Sequence, residues 1–125
     1  MNDTIPLSEI AHGRSGDKGN HANVAIIAYT AAGYGWLRAH LTADIVAAYF
    51  APMKPSRVER YEAANVCGLN FVLYDILAGG ARQSLRIDSQ GKTLALTLLQ
   101  MRIERPTNLA AMQRTASQDL ASRAP

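Results

Sequence analysis

Eight consecutive residues, Gly13-Arg14-Ser15-Gly16-Asp17-Lys18-Gly19-Asn20, set three glycines and five polar side chains between two apolar segments. Glycine reaches backbone conformations closed to other residues, and Asn, Asp and Ser favour turns, so the stretch predicts a loop. Residues 5–11 before it give a short candidate strand through Ile5, Leu7 and Ile10. Residues 22–29 after it are apolar at both alternations, Val24, Ile26 and Ala28 against Ala25, Ile27 and Tyr29. A strand covered on both faces reads that way.

Residues 33–50 show helical spacing, with Trp36, Leu37 and Leu41 on one stripe and Ile45, Val46, Tyr49 and Phe50 on the next. Thr42, with Asp44 two residues on, has the character of an N-cap and divides the stretch into two helices. Pro52 and Pro55 end it. Residues 57–64 alternate weakly, as an edge strand does. Leu69, Val72, Leu73, Ile76 and Leu77 share a helical face that Gly79-Gly80 would terminate. Residues 84–88 alternate as a strand, 89–92 form a turn, and 93–103 read best as a strand closing that hairpin. The order predicts an α+β fold, a ferredoxin-like sandwich with a mostly antiparallel sheet of about four or five strands and two or three helices on one face. Residues 1–105 form its one domain, and residues 106–125 a polar C-terminal tail.

At 125 residues the chain fits a single domain with a modest core, so a site is expected at a surface cleft or a subunit interface. Hydrophobic residues at 48% and charged residues at 18% are those of a folded, soluble protein. The net charge of +3 is weak, and its basic residues are scattered rather than interleaved with aromatics, which argues against nucleic acid. The single Cys67 excludes an intrachain disulfide and a multi-cysteine zinc site. No basic, apolar leader opens the sequence, and no apolar run nears the roughly 20 residues of a membrane span. A cytoplasmic location without membrane contact follows as an expectation.

Converging loop amides can hold an anion, to which Arg14 would add a two-pronged donor and Lys18 a point charge. Asp17 would orient either cation or carry a proton, and Ser15, Asn20 and Asn23 add neutral donors and acceptors. A small carboxylate or phosphate, including a phosphate of coenzyme A, is the ligand this chemistry fits. The stretch is neither a P-loop nor a dinucleotide fingerprint, since Gly13, Gly16 and Gly19 recur every third residue. A well-capped structural turn accounts for the same residues equally well. His12 and His21 flank the stretch, yet no metal-ligand spacing accompanies them, so no metal or cofactor is expected. Cys67 ahead of a predicted helix start has helix amides to lower its thiol pKa, though a small buried residue explains it too.

Residues 11–20, followed by Asn23-Val24-Ala25-Ile26, resemble the RSGDKG…N signature of the acyclic terpene utilisation (AtuA) family, carried on its small C-terminal ferredoxin-like domain. Leu41-Thr42, residues 69–73, and Gly79-Gly80 followed by residues 84–94 match in order, so the resemblance spans roughly residues 3–104. Asn20 stands where family members often have Asp. The resemblance implies a domain that usually follows a much larger one, in proteins linked to breakdown of terpenoids and branched acids through coenzyme A thioesters. It adds Asn70, Arg82 and Ser84 to a binding set of Arg14, Ser15, Gly16, Asp17, Lys18, Gly19, Asn20 and Asn23.

An accessory subunit of acyl-CoA or terpenoid-type catabolism, bound to a larger partner of that family, is the leading expectation. A small hydratase, lyase or hydrolase acting on a carboxylate or thioester is the alternative, with Asp17, Lys18 or His12 as catalytic candidates. A regulatory small-molecule-binding module is a third. A homo-oligomer is expected under all three, because an open sheet face or outward Leu94, Leu96 and Leu98 would need cover.

Overall fold

The computed structural model describes residues 3–76 and 92–114. Its centre is a hairpin: β2, Ala11–Lys18, runs antiparallel to β3, His21–Ala28, with Ala11 opposite Ala28 and Lys18 opposite His21. Only Gly19 and Asn20 lie between them, and Gly19 has φ +60°. A two-residue turn with glycine first and φ positive there matches the strand twist of a hairpin. β5, Gly68–Tyr74, pairs with the other edge of β3, and β4, Arg57–Ala63, pairs with β5. All pairings are antiparallel, in the order β2-β3-β5-β4.

Two helices connect β3 to β4. α1, Ala31–His40, starts at Thr30, whose hydroxyl accepts the Gly33 amide proton at 3.0 Å. α2, Ala43–Tyr49, starts at Thr42, which accepts from the Ile45 amide at 3.2 Å. Each cap satisfies an amide that has no partner within its own helix. α3, Lys92–Leu99, packs across β2 and buries Leu94, Ala95, Leu98 and Leu99. These side chains meet Val24, Ile26, Leu69, Phe71 and Leu73 of the sheet and Leu37, Leu41 and Val46 of the other helices in one apolar cluster. Each large aliphatic buried there contributes about 1.5–3 kcal/mol.

The unit β3-α1-α2-β4-β5-α3 follows ferredoxin-like order, in which a final strand normally returns beside the first. Here that place is taken by β2, from ahead of the unit. The strand following α3, β6 at Arg102–Glu104, pairs instead with β1, Thr4–Pro6, in a separate two-stranded sheet. A short helix, α4 at Leu109–Met112, follows β6 and buries Met112 against the core.

Four local expectations are corrected. Residues 13–18 are strand rather than loop, because Gly13, Gly16 and the polar residues around them pair with β3, leaving only Gly19 and Asn20 in the turn. Residues 69–74 are β5, not a helix: Leu69, Phe71 and Leu73 are buried while Asn70, Val72 and Tyr74 are not, a period of two. Residues 92–99 are helix rather than strand, with burial at 94, 95, 98 and 99, one face of a 3.6-residue period. Leu94 and Leu98 are therefore core, and Leu96 alone of the three points outward. Finally, among the described residues the helices pack on one face of β3, and on the other Asn23 is exposed and Ala25 and Ile27 are half-buried. The expected Gly79-Gly80 cap and the 84–88 strand lie outside the described residues.

Candidate functional site

Alternation along β2 divides the signature between two faces. Gly13, Ser15 and Asp17 share register with Ile26, Val24 and Ala22, the core side of β3. His12, Arg14 and Gly16 stand opposite Ile27, Ala25 and Asn23, on the open side. On the helix side the residues build structure. A Cβ on Gly13 would lie 2.6 Å from the Ala25 carbonyl oxygen and 3.6 Å from the Ala95 side chain. The Ser15 hydroxyl accepts the Ala95 amide at 3.3 Å, serving an amide in the first turn of α3. The expected cradle of converging amides is not formed, because successive amides of a strand point to opposite edges. Ser15 and Asp17 are likewise turned away from Arg14. Gly19 and Asn20 form the exposed hairpin tip. Lys18 closes the strand opposite His21.

The open face gathers the rest of the described set. Asn23 donates its amide to the Asn70 side-chain oxygen at 3.3 Å, and Asn70 lies opposite Ala25, the neighbour of Arg14. Arg14 and Asn70 are therefore two strands apart, about 10 Å between backbones. Arg82 and Ser84 lie outside the described residues. His21 accepts the Asp75 amide at Nδ1 (3.0 Å), and the Asp75 carboxylate approaches the same nitrogen at 3.8 Å.

Toward β4 the same face carries a network that the sequence did not announce. Tyr61 and Tyr74 both donate to Glu59 Oε1, at 2.5 and 2.9 Å, while Arg57 pairs with Oε2 at 3.3 Å and lies over the Tyr74 ring. The Tyr61 and Tyr74 hydroxyl bonds hold the Glu59 carboxyl below its usual range, with Arg57 adding to the effect. The bond to Glu59 in turn pushes the Tyr61 phenol up to about 12.

A second cluster sits at the start of β2. The His12 ring stacks on Tyr29 at 5.3 Å, and the Arg114 guanidinium lies 5.5 Å from the centre of the same ring. His12 is held below its ordinary imidazole pKa by partial burial first, then by Arg114 and Arg14. Three basic groups thus converge on one corner of the open face. Beside them Ser8, Glu9, Tyr29, Gln113 and Arg114 line a cleft of about 360 Å³. Arg114 lies in the stretch read from sequence as a polar tail, where nothing in its spacing marked it. The segment is anchored by buried Met112, by a Thr30 hydroxyl bond to the Ala111 carbonyl (2.8 Å) and by Gln113 donating to Glu9 (2.9 Å).

Cys67 is half-buried and precedes β5, with φ +57°, so the helix expected to follow it is a strand. Among the described residues no group of three or more His, Cys, Asp or Glu side chains is placed to hold a metal ion. No described helix is long and apolar enough to cross a membrane.

An antiparallel four-stranded sheet with helices on one face and a polar open face on the other defines a ferredoxin-like α+β domain. Residues 5–104 match the AtuA ferredoxin-like domain family, and the chain belongs to it. No curated protein and no solved structure matches the chain.

Proposed function

We propose that this protein is a non-catalytic accessory module of acyl-CoA or terpenoid-type catabolism that holds the anionic end of a small ligand on its open sheet face, with Arg14 as the principal cation. The observation that carries the reading is the outward position of Arg14 beside His12 and Arg114, in the middle of the family signature. Arg14 brings a planar donor fork suited to a carboxylate or phosphate. Asn23 and Asn70, one and two strands away, supply neutral donors along the same face. A larger subunit of the same catabolism, or a second copy of this chain, would meet that face, where Ala25, Ile27 and Val72 remain half-buried.

The arrangement favours binding over acid–base catalysis. His12 and Asp17 face opposite sides of β2 and stand five residues apart, about 17 Å along the strand. The test is a thermal-shift screen against coenzyme A, acyl-CoA esters, dicarboxylates and inorganic phosphate, with thioester absorbance followed in parallel. Stabilisation by at least one anion, lost in Arg14→Ala, with no thioester consumed, is the expected result. An unchanged melting temperature across the panel overturns the reading.

The enzymatic alternative keeps one specific support. A His12 imidazole held neutral near pH 7 beside Arg14 is a competent general base for a carboxylate-bearing substrate. Turnover abolished by His12→Gln would replace the accessory reading with this one.

A further inference from the structure

The signature residues lie within the family-matched stretch 5–104, but one of the cations facing them does not. The chain leaves β6, turns through α4 and returns to the open side of the sheet at Gln113 and Arg114. Its course is fixed at three points: Met112 at 3% exposure in the core, the Ala111 carbonyl on Thr30, and Gln113 on Glu9. Those contacts tie it to the entry of α1 and to the turn before β2, so Arg114 is placed by packing.

We infer that this C-terminal segment completes the anion site of the signature, so that Arg14 and Arg114 together hold a phosphate monoester dianion at the corner floored by His12 and Tyr29. The inference rests on the anion-binding reading of Arg14 and adds a residue and a ligand class to it. Two guanidinium groups carry two permanent charges, and a phosphate monoester carries about −1.5 to −2 at neutral pH with three acceptor oxygens. Planar forks meet such oxygens in pairs, which a monocarboxylate can satisfy only once. His12 shares the corner with both arginines; partial burial first, and then their repulsion, lowers its pKa and favours the neutral ring, which can accept or donate a hydrogen bond. Among the described residues lining the cleft Glu9 is acidic, and its Oε1 accepts from Gln113.

Isothermal titration of the full chain with adenosine 3′-monophosphate, inorganic phosphate and acetate tests this, in wild type, Arg14→Ala and Arg114→Gln. Circular dichroism melting checks that each variant is folded. Arg114→Gln is expected to keep its melting temperature and weaken the phosphate monoester about tenfold or more, while changing acetate little. Binding of inorganic phosphate as tightly as the nucleotide would identify free phosphate as the source of the ligand, with the same dependence on Arg114. If Arg14→Ala fails to bind and Arg114→Gln binds like wild type, the inference falls and the functional reading stands. If no probe binds, or neither substitution matters, both fall. Should Arg114→Gln lose its fold, Arg114→Lys, which keeps the charge without the fork, must still bind the monoester more weakly than wild type.

Discussion

Within β2, neighbouring residues do opposite jobs, and the difference is measurable one side chain at a time. A methyl on Gly13 meets the Ala25 carbonyl, a backbone atom that cannot swing aside. Gly13→Ala is expected to cost about 1–3 kcal/mol in chemical denaturation, as overpacking does. Gly16→Ala meets only the Asn23 side-chain oxygen at 3.2 Å, the end of a movable group, and should be nearly neutral. His12 supplies a pH test. Its folded pKa lies below the ordinary value of about 6.5, so the unfolded chain binds the proton more readily. Stability contributed by the neutral ring is therefore full above that value and declines as pH falls below it toward the folded pKa. The melting temperature of His12→Gln should fall less than wild type between pH 7 and pH 5. Arg114→Gln should raise the His12 pKa in an NMR titration, and an unmoved value would separate Arg114 from this corner. The residues of the candidate site stood out in the sequence, because Arg14, Asn23 and His12 belong to a recognisable polar run. Their division between faces did not. Three glycines in eight residues look like a loop, and only the pairing with β3 turns Gly13 and Gly16 into strand positions on opposite faces, leaving Gly19 to the turn.

Secondary elements were legible where periodicity and capping agreed. Thr42 divided the 33–50 stretch because a hydroxyl cap needs only local sequence to be seen, and β3 and β4 fell close to their expected bounds. Where an apolar run is short, two periods fit it. Leu69, Val72, Leu73 and Ile76 suit a helix as well as Leu69, Phe71 and Leu73 suit a strand, and the choice was made by β3 and β4 offering ladders on either side. The converse error at 92–99 has the same origin, since Leu94 and Leu98 satisfy both patterns until α3 finds a sheet to lie on. Ser15 joins those two elements. Removing its hydroxyl in Ser15→Ala leaves the Ala95 amide without that acceptor, at a cost of about 0.5–1.5 kcal/mol. Hydrogen exchange should show faster protection loss at Ala95 than at the amides of α1. Equal exchange at both would mean that the bond does not hold α3 to β2.

At the scale of the whole chain, the two ends of the family-matched region are clasped together. β1 pairs with β6 through Thr4 opposite Glu104 and Ile5 opposite Ile103, reinforced by Arg105 on Asp3 at 2.6 Å and by Arg102 on the Thr4 carbonyl at 2.7 Å. These partners are about a hundred residues apart in sequence, so closing them from an open chain costs about 4 kcal/mol of loop entropy before any contact is gained. The cost falls once the β2-β3-β5-β4 sheet and its helices have drawn the ends together, which places the clasp late in folding. Ile103 is 6% exposed, and Ile103→Ala should cost about 2–4 kcal/mol. A late clasp puts that loss almost wholly into faster unfolding, with the folding rate nearly unchanged in stopped-flow measurements. Folding slowed in proportion to the lost stability would instead put the clasp in the nucleus. The same substitution reaches the site, because α4 and Arg114 leave from β6. Loosening the clasp should weaken anion binding before it unfolds the sheet, and Ile103→Val, which keeps most of the side chain, should restore both.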